Sequence, residues 1–275
     1  MSYLSLNTWS IHRNLGPIRW TYWDEVNQKH AVHLDPQPET TTLLELPAIL
    51  AANGFKAVEI CHFHFPNTNP DYLRRLNDAC QDVNILFHTL LLDYGDISSD
   101  DVGRTKADMK LIQDWIDIAA QAGAKRIRVI AGEASPDNTE ALNRSLENLT
   151  SLASYAKQRG VRIVSENFKL LTSTAANCIE IVRRGNGEIG MIADFGNFSK
   201  TTKTKDLALL LPYCESVHVK PEFDSNGCPD KEEFRKHLNL LRTTRYNGPL
   251  TLIYEGPGDM WEGVERVRKI AEEYL

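Results

Sequence analysis

Arg162-Ile163-Val164-Ser165-Glu166-Asn167 is the stretch on which the fold turns. It starts as a short apolar, β-branched run, the signature of a buried strand, and ends in a carboxylate and an amide. Three later runs end in the same way: Gly190-Met191-Ile192-Ala193-Asp194, Ser216-Val217-His218-Val219-Lys220 and Thr251-Leu252-Ile253-Tyr254-Glu255. The polar residues are separated by 28 (166 to 194), 24 (194 to 218) and 37 (218 to 255) positions, each about one strand plus one helix. They therefore belong to consecutive strands, each near its C-terminal end. In a closed parallel barrel those ends converge on one rim.

The same alternation runs through the whole chain. Strands are predicted over Tyr3–Thr8, Ala57–Cys61, Ile85–Leu91, Arg126–Ala131, Arg162–Asn167, Gly190–Asp194, Ser216–Lys220 and Thr251–Glu255. Helical periodicity fills 41–52, 70–81, 102–122, 138–159, 174–184, 204–212, 230–243 and 260–274. Gly54, Gly123 and Gly160 follow helices where a left-handed residue ends them, and Asp71 and Asp101 sit at helix starts. Eight strands alternating with eight helices predict an α/β fold, a single-domain (β/α)8 TIM barrel over residues 1–275, a length that suits it. An open doubly wound sheet would place a glycine-rich phosphate turn after the first strand, but Trp9-Ser10-Ile11-His12-Arg13 stands there.

Residues 9–40 are too long for an ordinary strand-to-helix connection. They hold Trp9, Trp20, Tyr22, Trp23, His12, His30, His33, Pro36 and Pro38. The expectation is a long loop after strand 1, lying at the C-terminal mouth, whose aromatics pack it onto the barrel and wall a pocket as a lid.

Composition narrows the function. Hydrophobic residues make up 42% and charged residues 25%, which is ordinary globular usage, and the net charge of −6 offers no basic stripe for nucleic acid. The five cysteines, Cys61, Cys80, Cys178, Cys214 and Cys228, are odd in number, and no two are spaced as in a zinc ribbon. The N-terminus lacks a signal-peptide pattern and no apolar run approaches membrane-spanning length, so a cytoplasmic protein without a membrane partner is expected.

Taken singly, each polar strand end has an ordinary explanation. Glu255 precedes Gly256-Pro257-Gly258 as a loop acid would, Glu166 could cap a helix, Asp194 could be a turn aspartate, and His218 could be a satisfied core histidine. Four of them on one rim point to metal chemistry instead. Three converging carboxylates would repel one another and pay heavily in desolvation, and a divalent cation resolves that conflict. Carboxylates with one imidazole suit manganese, magnesium, cobalt, iron or zinc and do not select among them.

Asn53-Gly54-Phe55-Lys56-Ala57-Val58-Glu59-Ile60 resembles the second strand of the xylose-isomerase-like sugar phosphate isomerase/epimerase superfamily. Glu166-Asn167, Asp194 with Gly196-Asn197, His218 with Lys220, and Glu255 resemble its later motifs, in the same order and over nearly the whole chain. The resemblance implies one divalent ion on Glu166, Asp194, His218 and Glu255. It also implies a carbohydrate substrate, and homodimers or tetramers. Many members carry histidine three residues after the aspartate; Asn197 here favours a single ion and a substrate contact at that position.

The chemistry so implied is isomerisation or epimerisation of a keto-sugar or its phosphate. A proton is abstracted beside a metal-bound carbonyl, through an enediolate, with Glu166 and Glu255 as proton carriers. Lys220 either holds a substrate oxygen or closes a salt bridge to a mouth carboxylate. Arg128 either binds substrate or pairs with an acid such as Glu59. Asn167, Asn197, His64, His88 and Trp9 complete the expected substrate contacts. A dehydratase of the dehydroshikimate type would begin with the same proton abstraction. An endonuclease of this superfamily would need further histidines that are missing after Asp194 and His218, and a sugar-binding barrel without catalysis would have no use for the proton carriers.

Overall fold

All eight predicted strands form, and they close on one another. The computed structural model describes residues 2–275. β1 (Tyr3–Asn7) is followed by a hairpin, β2 (Ile18–Asp24) and β3 (Lys29–Asp35). After it come β4 (Ala57–Cys61), β5 (Leu86–Leu91), β6 (Arg126–Arg128), β7 (Arg162–Glu166), β8 (Ile189–Asp194), β9 (Ser216–Val219) and β10 (Pro249–Leu252). Omitting the hairpin, the strands pair in chain order into a closed barrel, with β10 returning to β1. Every barrel pair is parallel, so all strand C-termini emerge at one mouth.

The connections supply the outer helices: α1 (Leu46–Ala52), α2 (Pro70–Asp82), α3 (Val102–Gln121), α4 (Thr139–Lys157), α5 (Ala175–Arg184), α6 (Lys203–Leu210), α7 (Lys231–Thr243) and α8 (Met260–Ala271). Local sequence sets their ends. Asp101 and Asp230 accept the free backbone N–H groups of Arg104 and of Glu232 and Glu233. Thr42 and Glu45 form a reciprocal capping box one turn before α1, which is why the periodicity there begins earlier than the helix. Gly54 and Gly123 hold φ of +79° and +81° directly after α1 and α3, a conformation that a side chain would strain.

Strand alternation divides the barrel. Leu4, Leu6, Val58, Ile60, Ile127, Ile163 and Leu250 join the large apolar core under the helices. A smaller cluster of Ile18, Cys61, Phe63, Leu91, Val164 and Ile192 forms separately, with Trp9 and Trp20 packed against it. It joins the base of the hairpin to the barrel.

The 9–40 segment is therefore not an irregular loop. Residues 8–14 coil as a 3-10 segment and 18–35 form an antiparallel hairpin with Trp20 opposite His33 and Trp23 opposite His30. Its turn is made by Asp24, which accepts from the backbone N–H groups of Val26 and Asn27, and by Gln28 in the left-handed region. Aromatic and β-branched residues favour such strands, but contacts on both faces blur the alternation that reveals them in sequence.

Two buried polar anchors hold the hairpin down. Near its tip His30 Nε2 lies 2.6 Å from Asp108, a fully buried carboxylate that also accepts from Arg104 and from the Asp96 N–H. Nearer its base His62 lies between the hairpin and the barrel. His62 Nδ1 accepts the Asp93 N–H at 3.2 Å, so its proton is on Nε2, which donates to Thr21 Oγ1 at 3.3 Å. Burial is the main cause that brings the His62 pKa down to about 4, against a weaker upward pull from Asp93. Below pH 6.5 the unfolded chain takes a proton that the folded ring refuses until about pH 4. The unfolded state thus binds more protons in that window, and stability falls as pH drops through it, by about 3 kcal/mol for this group. Urea denaturation at pH 7.5 and pH 4.5 should show that extra loss in the wild type and not in His62→Gln; equal pH dependence in both would refute the assignment.

Candidate active site and metal centre

The mouth holds a cavity of about 280 Å³. Trp9, Trp20, Phe63, Phe168, Leu91 and Ile253 make its apolar wall, and Asp93, Arg128, Glu166, Asp194, Asn197, His218, Lys220 and Glu255 its polar part. Glu166 ends β7, Asp194 ends β8 and His218 lies in β9 directly opposite Asp194. All three are buried, and one ligand atom from each lies within 4.8 Å of the others. His218 Nδ1 stands 3.6 Å from Glu166 Oε1 and 3.5 Å from Asp194 Oδ2.

The neighbours explain how so much charge is held. Asp194 Oδ1 accepts the Gly196 N–H at 2.6 Å. A Cβ at Gly196 would fall 2.7 Å from Lys220 Cδ, so the glycine leaves room for that side chain beside Asp194. Burial raises the Asp194 pKa, but His218 and Lys220 more than reverse this and leave it below the usual value. His218 is also penalised by burial, yet Glu59 and Glu166 lift it well above the ordinary imidazole range.

Glu166 is the least satisfied member. Its Oε1 accepts from Asn197 Nδ2 at 3.0 Å. Its Oε2 lies 3.1 Å from Arg128 Nε, but the N–H is not aligned for a hydrogen bond, so both buried atoms are left without a hydrogen-bond partner. The other end of the Arg128 guanidinium is tied to Asp93 and the Leu92 carbonyl.

Glu255 lies three residues beyond β10, in the turn before α8, and its side chain is 37% exposed. It lines the same cavity but stands outside the Glu166, Asp194, His218 cluster. Its Oε1 receives Lys220 Nζ at 2.8 Å and Trp9 Nε1 at 2.8 Å. Lys220 thus makes the mouth salt bridge, and Arg128, Asn197, Lys220 and Trp9 all line the cavity.

Three expected contacts do not reach the cavity. Asn167 is fully buried and clamps β8 instead: its amide donates to the Asp194 carbonyl at 3.0 Å and accepts the Asp194 N–H at 2.7 Å. His64 turns away, bonding Thr8 and facing a separate crevice with Leu15, Glu39 and Tyr72. His88 sits at a bulge where Glu59 pairs with Thr89, which aims its ring at Glu59 rather than at the mouth. Glu59 in turn pairs with His218 and not with Arg128, whose partners are Asp93 and Glu166. Trp20, named with the other aromatics of the 9–40 segment, lines the cavity, whereas Asp93, Phe63 and Phe168 were not singled out from sequence. Asp93 alone carries a readable signal, an acid straight after the apolar run Leu90-Leu91-Leu92.

Fold and site define a class: a (β/α)8 barrel with a carboxylate–imidazole cluster at its C-terminal mouth. Residues 47–273 match the sequence pattern described as xylose isomerase-like TIM barrel, and the chain belongs to that family. No curated protein matches it significantly by sequence. Among solved structures it resembles an L-ribulose 3-epimerase, at 16% identity and a TM-score of 0.73, covering all of this chain and 96% of the other. A D-allulose 3-epimerase from Methylomonas sp. gives 15% identity and 0.71, with 99% and 98% covered. A 3-keto-D-glucoside 4-epimerase from E. coli gives 16% and 0.64, with 84% and 94% covered. Among the described residues no helix is long and apolar enough to cross a membrane.

Proposed function

We propose that this protein is a divalent-metal-dependent epimerase or isomerase of a keto-sugar. The observation that carries the reading is the Glu166, Asp194, His218 cluster. Donor atoms bound to one ion at about 2.1 Å stand roughly 3–4 Å apart, and the 3.5 and 3.6 Å separations around His218 Nδ1 fit that spacing. Glu166 Oε1, the oxygen that faces His218 Nδ1, accepts only from Asn197 Nδ2 and so has a lone pair left for an ion. Glu255, which lines the same cavity, would complete the set by exchanging Lys220 for the ion. Mixed oxygen and nitrogen donors admit manganese, magnesium, cobalt, iron or zinc. When bound, such an ion polarises a carbonyl and stabilises the negative charge that grows as the adjacent carbon loses its proton.

The chain's own groups do the rest. Glu166 and Glu255 come from positions three strands apart in a ring of eight, so they meet a substrate in the cavity from different sides. One takes the proton and the other returns it on the opposite face, which inverts the carbon. Asn197 and Arg128 orient Glu166; Lys220 holds the Glu255 side of the substrate. Trp9, Trp20, Phe63 and Phe168 exclude water and offer flat faces to the C–H side of a sugar ring. The cavity is at the small end for ligand sites, suited to a monosaccharide rather than a polymer.

The test is direct. Purified protein given manganese, cobalt, magnesium or zinc should convert at least one of D-fructose, D-psicose, D-tagatose, L-ribulose and their phosphates to an epimer or isomer, read by NMR. If metal-loaded protein left every one of them unchanged, the reading would fall.

A further inference from the structure

Below the mouth, β4 carries a carboxylate that the chemistry above does not use. Glu59 is fully buried and lines no part of the cavity. Its Oε2 stands 2.6 Å from His218 Nε2. Its Oε1 is met by His88 Nδ1 at 3.2 Å, Thr89 Oγ1 at 3.3 Å and Ser216 Oγ at 3.1 Å. A buried carboxylate is costly unless its lone pairs are filled, and four contacts from β5 and β9 fill these. Such a group is held in place, and what it holds is the imidazole.

The consequence lies in the proton on His218. An ionised carboxylate only accepts, so His218 Nε2 must donate to Glu59. The ring's other nitrogen, Nδ1, faces Glu166 and Asp194, and it is the one that would give up its proton to an ion bound there. We propose that Glu59 is a positioning residue for metal uptake: it fixes the Nε2–H form of His218 and aims Nδ1 into the ion site from beneath the mouth. The inference rests on the metal reading above. Carboxylate partners of this kind orient ligand histidines and raise their basicity. A purely structural plug in the barrel interior would fill the same space without affecting the affinity of the site.

Titration calorimetry of manganese(II) into metal-free protein tests it. Glu59→Gln keeps the volume and removes the charge, and its dissociation constant should rise by about 10- to 100-fold. The visible bands of the cobalt(II)-loaded variant should shift as well. Ser216→Ala, which removes one support of Glu59 without touching His218, should weaken binding by a smaller factor. A folded Glu59→Gln with wild-type affinity and an unshifted cobalt spectrum would overturn the proposal. Should Glu59→Gln not fold, unchanged affinity in Ser216→Ala would overturn it. Wild-type protein that takes up no divalent ion would remove the metal reading itself, and this inference with it; binding by the wild type and equal binding by the variants would remove only the role of Glu59.

Discussion

Glu166→Gln is expected to lower turnover of a keto-sugar by about 10²- to 10⁴-fold, the range a positioned general base supplies. The variant keeps the shape of the side chain, and its amide can still meet Asn197. It loses the basic oxygen, which among the described residues is the one buried carboxylate oxygen without a hydrogen-bond partner. Arg128, 3.1 Å from that oxygen, would face a neutral group, so the pair stabilised by opposite charges also goes. Glu255→Gln should fall by a similar factor for the opposite proton. The two losses are separable: each variant should lose solvent-deuterium exchange from one face of the substrate carbon. Exchange at the wild-type rate in either variant would strike that carboxylate from the list of proton carriers.

Stripping divalent ions with a chelator is expected to have an effect as large. Turnover should vanish and return on adding the ion. The fold should also weaken, because an ion that binds only the folded state adds about 4 kcal/mol at 1,000 times its dissociation constant, a fall in Tm of roughly 10 °C for a domain of this size. Asp194→Asn should give the same loss without chelator. Uptake should weaken as pH is lowered. The His218 pKa is raised well above the ordinary range despite the counter-effect of burial, so a proton competes for its nitrogen. A chelated protein with unchanged Tm and activity would leave the cluster a structural charge network.

Much of the barrel and of its mouth is legible in the sequence, for reasons that can be named. Glu166, Asp194 and His218 break apolar strands at their C-terminal ends, and parallel closure must bring such ends together. The helix ends were legible at Gly54, Gly123 and Asp101 because backbone geometry and unpaired N–H groups select those residue types, while Asp71 marks the first turn of α2, whose cap is Asn69. Other features depend on what lies across the barrel. His88 faces inward through a one-residue bulge, and no periodicity reveals a bulge. His64 bonds Thr8, 56 positions away, and Asn167 spends its amide on the backbone of Asp194. Glu59 could be read as a buried acid, but its partner lies 159 positions away on β9. The hairpin escaped because its two faces are both partly covered: Trp20 lines the mouth cavity on one, while Thr21 and His30 on the other meet His62 and Asp108 of α3.

The most direct measurement is ¹H NMR of a keto-sugar incubated in D₂O with metal-loaded protein. The account predicts that one C–H signal next to the carbonyl is lost as the epimer or isomer appears, only when a divalent ion is present. Protein with its ion bound that leaves every C–H signal of the tested keto-sugars intact would contradict it.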